Sequence, residues 1–453
     1  MRTWSAEQVA QAAGARLLTP PPLAEGPARA VIDSRGAGPG ALFVGLQGRN
    51  HDGGSFARQA LSAGAWGVLT TPPHARAAES AGRGGVLAAE DPLRALQRLA
   101  TAWRRELPAK VIGVTGSTGK TSTKDLLLAV LTPTRRAFAS RANFNTEIGL
   151  PLEILQAPAD TEVLVLEMAM RGTGQIAQLA AIAEPDVAVI VSVGPVHLEL
   201  LGTLEAVAAA KSELIAALSP GATAVVPAGE KLLARHLRDD ITTITFGEHG
   251  DVRLLAAHEH RLEIDLRGEP VELQVSFAQE HLRTNLLAAV AAAHAVGTNA
   301  QGRVELALSP GRGRRSTNPA GITVIDDCYN ANPMSMRAAL QDLAATAGRE
   351  RAARRVAVLG DMLELGAQQR AYHLAVGEQC AAVGVDLLVT VGPLAQAIAD
   401  GYGRAAETHA TADAAAAAGL LPGLVGPRDV VLVKGSRRVG LEQVCRALGV
   451  GAS

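Results

Sequence analysis

The run TGSTGKT, from Thr115 to Thr121, is where residue types and spacing most clearly imply chemistry. Glycines at 116 and 119 let backbone N–H groups approach phosphate oxygens, and a helix start behind them favours negative charge. Lys120 then reaches the terminal phosphates of a nucleoside triphosphate, and the Thr121 hydroxyl can hold Mg2+. Thr115, Gly116, Ser117, Thr118, Gly119, Lys120, Thr121 and Ser122 are the candidate ATP contacts. The strict GxxxxGK[ST] spacing is not met, because Val114 occupies the first glycine position. A Gly-rich turn with an incidental lysine is the plain alternative; GKT directly after the apolar run VIGV argues against it.

Three further side chains are candidates. Glu167 ends the run VLVLE and His197 follows VAVIVSVGP, so both would open on the rim where ligands of α/β sheets bind. A carboxylate there can hold Mg2+ and a neutral imidazole can hold a second metal. A solvated strand end and a satisfied loop histidine are the competing readings. Lys211 lies on the apolar stripe of Leu204, Val207, Leu214 and Leu218. An ammonium on a buried face is costly, and burial lowers its pKa. Either the head reaches water along the apolar face, or Lys211 is an active-site lysine whose neutral amine can take up CO2 as a carbamate.

The elements that must position these residues follow from patterning. The chain's 453 residues correspond to about two to four domains. Apolar residues make up 48% and aromatics 3%, so Ala, Val and Leu must fill the cores. Short β-branched runs alternating with longer helical patterns predict a parallel α/β sheet in the middle of the chain, with the segment 286–297 as a helix ending at Gly297. The same rhythm returns in RRVAVLGDM (354–362), VDLLVTVG (385–392) and DVVLVKGS (429–436). The basic stretch 301–321 reads as an irregular linker. The expectation is three α/β domains: a small one at 1–106, a central parallel-sheet P-loop domain at 107–308 and a Rossmann-like domain at 309–453.

Lys and Arg total 43 against 44 Asp and Glu, which gives no bulk attraction to nucleic acid or membrane. Cys328, Cys380 and Cys445 have no CxxC or Cys/His spacing, so neither a disulfide framework nor a zinc site is expected. No long uncharged apolar stretch is present, and the N-terminus, with Glu7, does not read as a signal peptide. A reducing cytoplasm and a monomer are the expectations.

Several segments, in order, resemble the Mur ligase family. These are IDSRGAGPGALFVGLQGRNHDGGSF (32–56), the phosphate loop, RANFNTEIGLPL (141–152), EMAMRGTGQI (167–176), VSVGPVHLELLGTLEAVAAAKSEL (191–214) and HLRTN (281–285). GR at 311–312, VIDDCYNANPMSMRAAL (324–340), LGDMLELG (359–366) and VLVKGSR (431–437) extend the likeness over nearly the whole chain. The loop has the family's form, which accounts for Val114. Thr146 and Leu282 stand where the family often has Asn, leaving Asn143, Asn145 and Asn285 as the matching positions. YNANP (the family form reads DDSYNANP), LGDMLELG and VLVKGSR point to the branch that adds a dipeptide, not to those adding alanine, glutamate or a diamino acid.

The resemblance implies ATP-dependent addition of D-alanyl-D-alanine to UDP-N-acetylmuramoyl-tripeptide through an acyl phosphate, giving the pentapeptide precursor of peptidoglycan. It implies that Ser34 and Arg35 contact the UDP end of the substrate. Glu167 and His197 would be magnesium ligands, with Thr121 and a carbamylated Lys211, for two Mg2+ ions. Asn285 would lie near adenine, and Arg312 and Asp327 near the ribose and phosphates of ATP. Tyr329, Asn330 and Asn332, like Asn143 and Asn145, would lie near substrate. A folyl-polyglutamate synthetase, a diamino-acid-adding relative, and a P-loop switch that hydrolyses ATP without a peptide acceptor are the alternatives.

Overall fold

The computed structural model describes all residues except 2, 23, 49, 81, 83, 142, 309, 310 and 451–453. Three sheets organise it, of five, ten and six strands.

In the first sheet the strands run in the order Arg16–Thr19, Gly85–Ala88, Gly67–Thr70, Ala41–Val44, Arg29–Val31. All neighbours are parallel except the first pair. The three middle strands are buried at every position, as parallel strands covered on both faces must be. The helix Pro92–Glu106 leads out of this sheet. Asp91 caps it through Arg94 N–H, and a proline opens it where no N–H is needed. Its Trp103 packs edge-on against Trp4, with ring centroids 5.4 Å apart, and donates from Nε1 to Ala157 O at 3.3 Å. One apolar cluster therefore runs from Trp4 and Leu96 through Leu150 and Ile176 to Leu214. The first sheet and one face of the second share a core.

The central sheet places Lys110–Thr115 between Val163–Glu167 and Val187–Ile190, all parallel. The chain order thus reverses at Lys110–Thr115, and a crevice opens at the carboxyl ends of these strands. The sheet is not parallel throughout. Val252–His258, Arg261–Leu266 and Glu269–Val275 extend it as an antiparallel meander. Arg267 and Gly268 make its tight turn, both with positive φ, as a two-residue hairpin requires. Most charged residues of this meander, such as Arg253, Arg261, Glu269 and Glu272, lie at the surface and hide its strand pattern. The helix predicted to end at Gly297 spans Glu280–Ala295, and Gly297 follows with a φ of 72°.

In the third sheet Arg314–Thr317 pairs antiparallel with Thr323–Asp326, followed in parallel by Val430–Lys434, Arg355–Gly360, Leu387–Val391 and Thr408–Thr411. The linker expected over 301–321 is partly strand: Gly302–Val304 edges the central sheet and Arg314–Thr317 edges the last. Both are short edge strands carrying arginines, so pairing with a neighbour, rather than local pattern, defines them. Ser309 and Pro310 of that stretch lie outside the described residues. No helix among the described residues is long and apolar enough to cross a membrane.

Candidate functional site

The strand Lys110–Thr115 feeds a loop that turns into the helix Lys120–Leu131. Gly119 makes the turn with a φ of 80°, and a Cβ there would sit 2.6 Å from Asn285 Oδ1. Only glycine fits, on both counts. Asn285 backs the loop from the helix Glu280–Ala295. Ser117 Oγ donates to Gly194 O at 3.0 Å and accepts from Gly194 N at 2.9 Å, while Thr118 N donates to Ser192 Oγ at 2.9 Å. Two loop hydroxyls and amides thus pin the loop to the neighbouring strand end. Lys120 Nζ donates to Gly116 O at 2.7 Å, folding the ammonium over the loop. Burial lowers its pKa, and the Glu167 carboxylate opposes that.

Glu167, 2% exposed, ends the adjacent strand and is held from several sides. Thr121 Oγ1 donates to Oε2 at 2.7 Å, Asn145 Nδ2 donates to Oε1 at 2.8 Å, and the Glu167 amide donates to Ser140 Oγ at 3.0 Å. The solvated strand end is thereby excluded. Lys211 is 2% exposed within the helix Leu204–Ala216. No carboxylate pairs with it among the described residues. Burial, then the Lys120 charge, pushes its pKa well below the usual lysine value. The snorkelling alternative fails, because the head does not reach water. His197 adopts a left-handed backbone, φ 53°, just before a short helix. Its Nδ1 lies 2.5 Å from Glu364 Oε2. Burial lowers the His197 pKa, with Glu364 opposing and Lys211 and Lys120 assisting. The imidazole is therefore biased toward its neutral form.

These groups face a cleft of about 770 Å³ whose opposite wall belongs to the third sheet. Gly116 to Ser122, Asn143, Asn145, Glu167, His197, Lys211 and Asn285 line one side. Arg312, Asp327, Tyr329, Asn330 and Asn332 line the other. Arg312 stacks over the Tyr329 ring at 4.0 Å. Asp327 Oδ2 accepts from Lys434 Nζ at 2.6 Å, and Lys434 also donates to Asn330 O at 3.0 Å. Burial raises the Asp327 pKa and Lys434 works against it. Asn332 Oδ1 accepts from Ser335 N at 2.9 Å, which caps the helix Pro333–Glu350 and commits that oxygen to the fold.

Three candidates lie outside this cleft. Thr115 is fully buried at its strand end, and its hydroxyl has no partner. Ser34 and Arg35 sit on the turn Ser34–Gly36 beside the first sheet. There Arg35 pairs with Asp33 at 2.6 Å, and this side-chain bond holds the Asp33 carboxyl down at about 2. Lys434 and Glu364 were not singled out by sequence. Lys434 ends a buried strand, the same signal that marked Glu167. Glu364 depends on how the last two sheets pack, which no local pattern encodes.

The chain matches three family models in order: Mur ligase family, catalytic domain, at residues 30–104; Mur ligase middle domain at 114–293; and Mur ligase, glutamate ligase domain, at 311–437. A UDP-N-acetylmuramoyl-tripeptide–D-alanyl-D-alanine ligase of Synechocystis is 39% identical, covering 92% of this chain and 90% of that protein. The ligase of the same name from Bacillus subtilis is 35% identical over 90% of each. Among solved structures, a MurF crystal structure from Acinetobacter baumannii superposes with a TM-score of 0.84 at 29% identity, covering 98% of both chains. MurF of Thermotoga maritima in complex with ADP gives 0.78 at 30% identity, covering 93% of this chain and 96% of that one. With the three models matched in succession and a relative 39% identical over 92% of this chain, the chain belongs to the Mur ligase family.

Proposed function

We propose that this chain is an ATP-dependent ligase that joins D-alanyl-D-alanine to UDP-N-acetylmuramoyl-tripeptide. The observation that carries this is the cleft itself. A phosphate loop and the Lys120 ammonium on one wall face Arg312 and Lys434 on the other. Two anions, a carboxylate and a triphosphate, need such a cationic meeting place.

The tripeptide carboxylate attacks the γ-phosphorus, forming the acyl phosphate and releasing ADP. The dipeptide amine then attacks the acyl carbon, forming the amide, losing a proton and releasing phosphate. Lys120 swings from Gly116 O onto the transferring phosphoryl and offsets its charge. Asn285 and Arg312 flank the nucleotide, and Lys434 holds Asp327 beside its ribose and phosphates. The donor set fits magnesium: a buried carboxylate and a hydroxyl at Glu167 and Thr121, a neutral imidazole at His197, and an oxyanion if Lys211 carries CO2. Bound there, one Mg2+ or two would neutralise phosphoryl charge and polarise the carboxylate. Thr121 and Asn145 orient Glu167, Glu364 orients His197, and the depressed Lys211 amine is poised to form a carbamate. Asn143, Tyr329 and Asn330 line the path of the acceptor. Residues 1–106 hold the UDP end, with Ser34 and Arg35 as its contacts, residues 107–308 hold ATP, and residues 309–453 close the cleft against water.

The test is phosphate release from ATP with UDP-N-acetylmuramoyl-tripeptide, with and without D-alanyl-D-alanine, together with product mass. Release that depends on both substrates and yields the pentapeptide is expected. Release indifferent to the acceptor, without an amide product, identifies an ATPase switch instead.

A further inference from the structure

Directly behind the cleft wall that carries Asp327 and Tyr329, Asp326, Cys328 and Cys445 bring one oxygen and two sulfurs within 4.8 Å of one another. The two cysteines lie far apart in sequence and meet only because the strand Thr323–Asp326 lies over the helix Glu442–Ala447. Both are 2% exposed, inside the apolar cluster formed by Val324, Val431, Leu441 and Val444. Cys328 Sγ donates to Asp326 Oδ1 at 2.9 Å. We propose that Asp326, Cys328 and Cys445 form a binding site for a thiophilic divalent cation of the zinc class.

The donor chemistry selects that class. Two sulfurs and a carboxylate oxygen suit a soft-to-borderline d10 ion, not Mg2+ or Ca2+, which take oxygen ligands. The spacing suits it as well. Tetrahedral metal–sulfur bonds of about 2.3 Å place two sulfurs roughly 3.8 Å apart. Charge favours it too. The cluster without an ion holds one carboxylate and two thiols, a charge of minus one. A dication that displaces both thiol protons, releasing two H+, leaves minus one again, so the buried site gains no net charge. Neighbouring Cys445, burial and the Asp326 carboxylate all raise the Cys328 pKa. The free thiol is therefore a poor nucleophile and is slow to be oxidised. A cation that binds must displace these protons, so its affinity rises with pH.

Position gives the site its consequence. Asp326 Oδ2 accepts from Gly311 N at 3.2 Å, one residue from Arg312, and Tyr329 N donates to Gly311 O at 2.9 Å. The cation would tie together the two segments that carry the last domain's cleft residues. The related motif DDSYNANP has serine at the position of Cys328, so Cys328→Ser is a substitution the fold is expected to accept.

The experiment uses the full, reduced chain with saturating Mg2+, so that oxygen-rich sites are filled, and adds Co2+ as a spectroscopic probe. One Co2+ per chain with a thiolate charge-transfer band, displaced by Zn2+, is expected. Cys328→Ser should abolish the band and weaken Zn2+ binding by at least about 100-fold, while its metal-free melting temperature stays near that of the parent. Cys445→Ser should do the same. The absence of a band in the parent, or a band that survives Cys328→Ser, overturns the proposal. So does a parent purified without reductant, and free of metal, whose mass is lower by two hydrogens, which would make the pair a disulfide.

Discussion

The two walls of the cleft are built differently. On the central wall, Glu167, Thr121, Asn145 and Ser140 form a closed hydrogen-bond set on adjacent strand and helix ends, and Ser117 and Thr118 are tied to Ser192 and Gly194. On the other wall, Arg312, Tyr329 and Asn330 ride on loops, braced by Lys434 and Asp327. Between the walls, the described contacts beside the phosphate site are few. They include His197 with Glu364, Glu199 N with Glu364 O at 3.3 Å, Gly366 against Leu198, and Gly194 against Met334. The central wall is preorganised within one fold, whereas the second is docked onto it. Changes to the first should remove chemistry, and changes to the second should weaken docking.

The largest effect is expected at Lys120. Lys120→Ala should lower kcat/KM by about 1,000-fold or more, through kcat, in an acceptor-dependent phosphate-release assay. Near-normal turnover would remove the loop from the chemistry. Lys211→Ala should come next, and a small carboxylate such as acetate should restore part of the loss by replacing the carbamate. Full activity of the unrescued variant at low CO2 would end the carbamate reading. Glu364→Ala should cost about 10–100-fold, because the imidazole of His197 loses the carboxylate that fixes its tautomer and ring plane. Glu364→Gln should retain more, since an amide oxygen can still accept from Nδ1–H. Equal losses for both would make the contact purely a matter of charge.

Docking itself is probed at Gly194, where an added Cβ would sit 1.9 Å from Met334 Sδ. Gly194→Ala should cost about 1 kcal/mol of closure, roughly fivefold in KM for ATP, with kcat less affected. Met334→Ala should relieve it, and failure to do so would place the clash within the central wall. The smallest effect is thermodynamic. The folded Lys211 pKa lies below its unfolded value near 10.4, so between the two the unfolded chain binds more protons. This contribution to stability is smallest below the folded pKa and grows as pH rises toward about 10. In urea titrations at stepped pH, Lys211→Met should flatten that rise. An unchanged slope would show that the lysine is not desolvated in solution.

The same contrast governs what the sequence discloses. The central wall was legible because its residues terminate apolar runs or break helical stripes: Glu167 ends VLVLE, and Lys211 interrupts the stripe of Val207 and Leu214. Lys434 carries the same signal at the end of VVLVK. Apart from Lys434, the docked wall was legible only as motifs. Nothing local says that Glu364 would reach His197, because that contact follows from packing between distant segments, whereas the Asn332 cap is local, with Pro333 next to it and Ser335 three residues on. The antiparallel meander at 252–275 escaped for another reason. Its alternation is masked by charges such as Arg261, Glu263 and Glu272, which pair with one another across the surface.

The shared core that joins Trp4 and Leu96 to Leu150 and Leu214 also makes a caliper. Because this cluster spans both, the first sheet is packed against one face of the central sheet, and on the proposed reading the gap from the UDP-holding end to Lys120 is set by that packing. In the proposed reaction, a substrate gripped by its UDP end is measured against that gap. A stem one residue too short leaves its carboxylate outside the reach of the γ-phosphate, and one residue too long overshoots it. Selection by stem length then requires no side chain dedicated to counting residues.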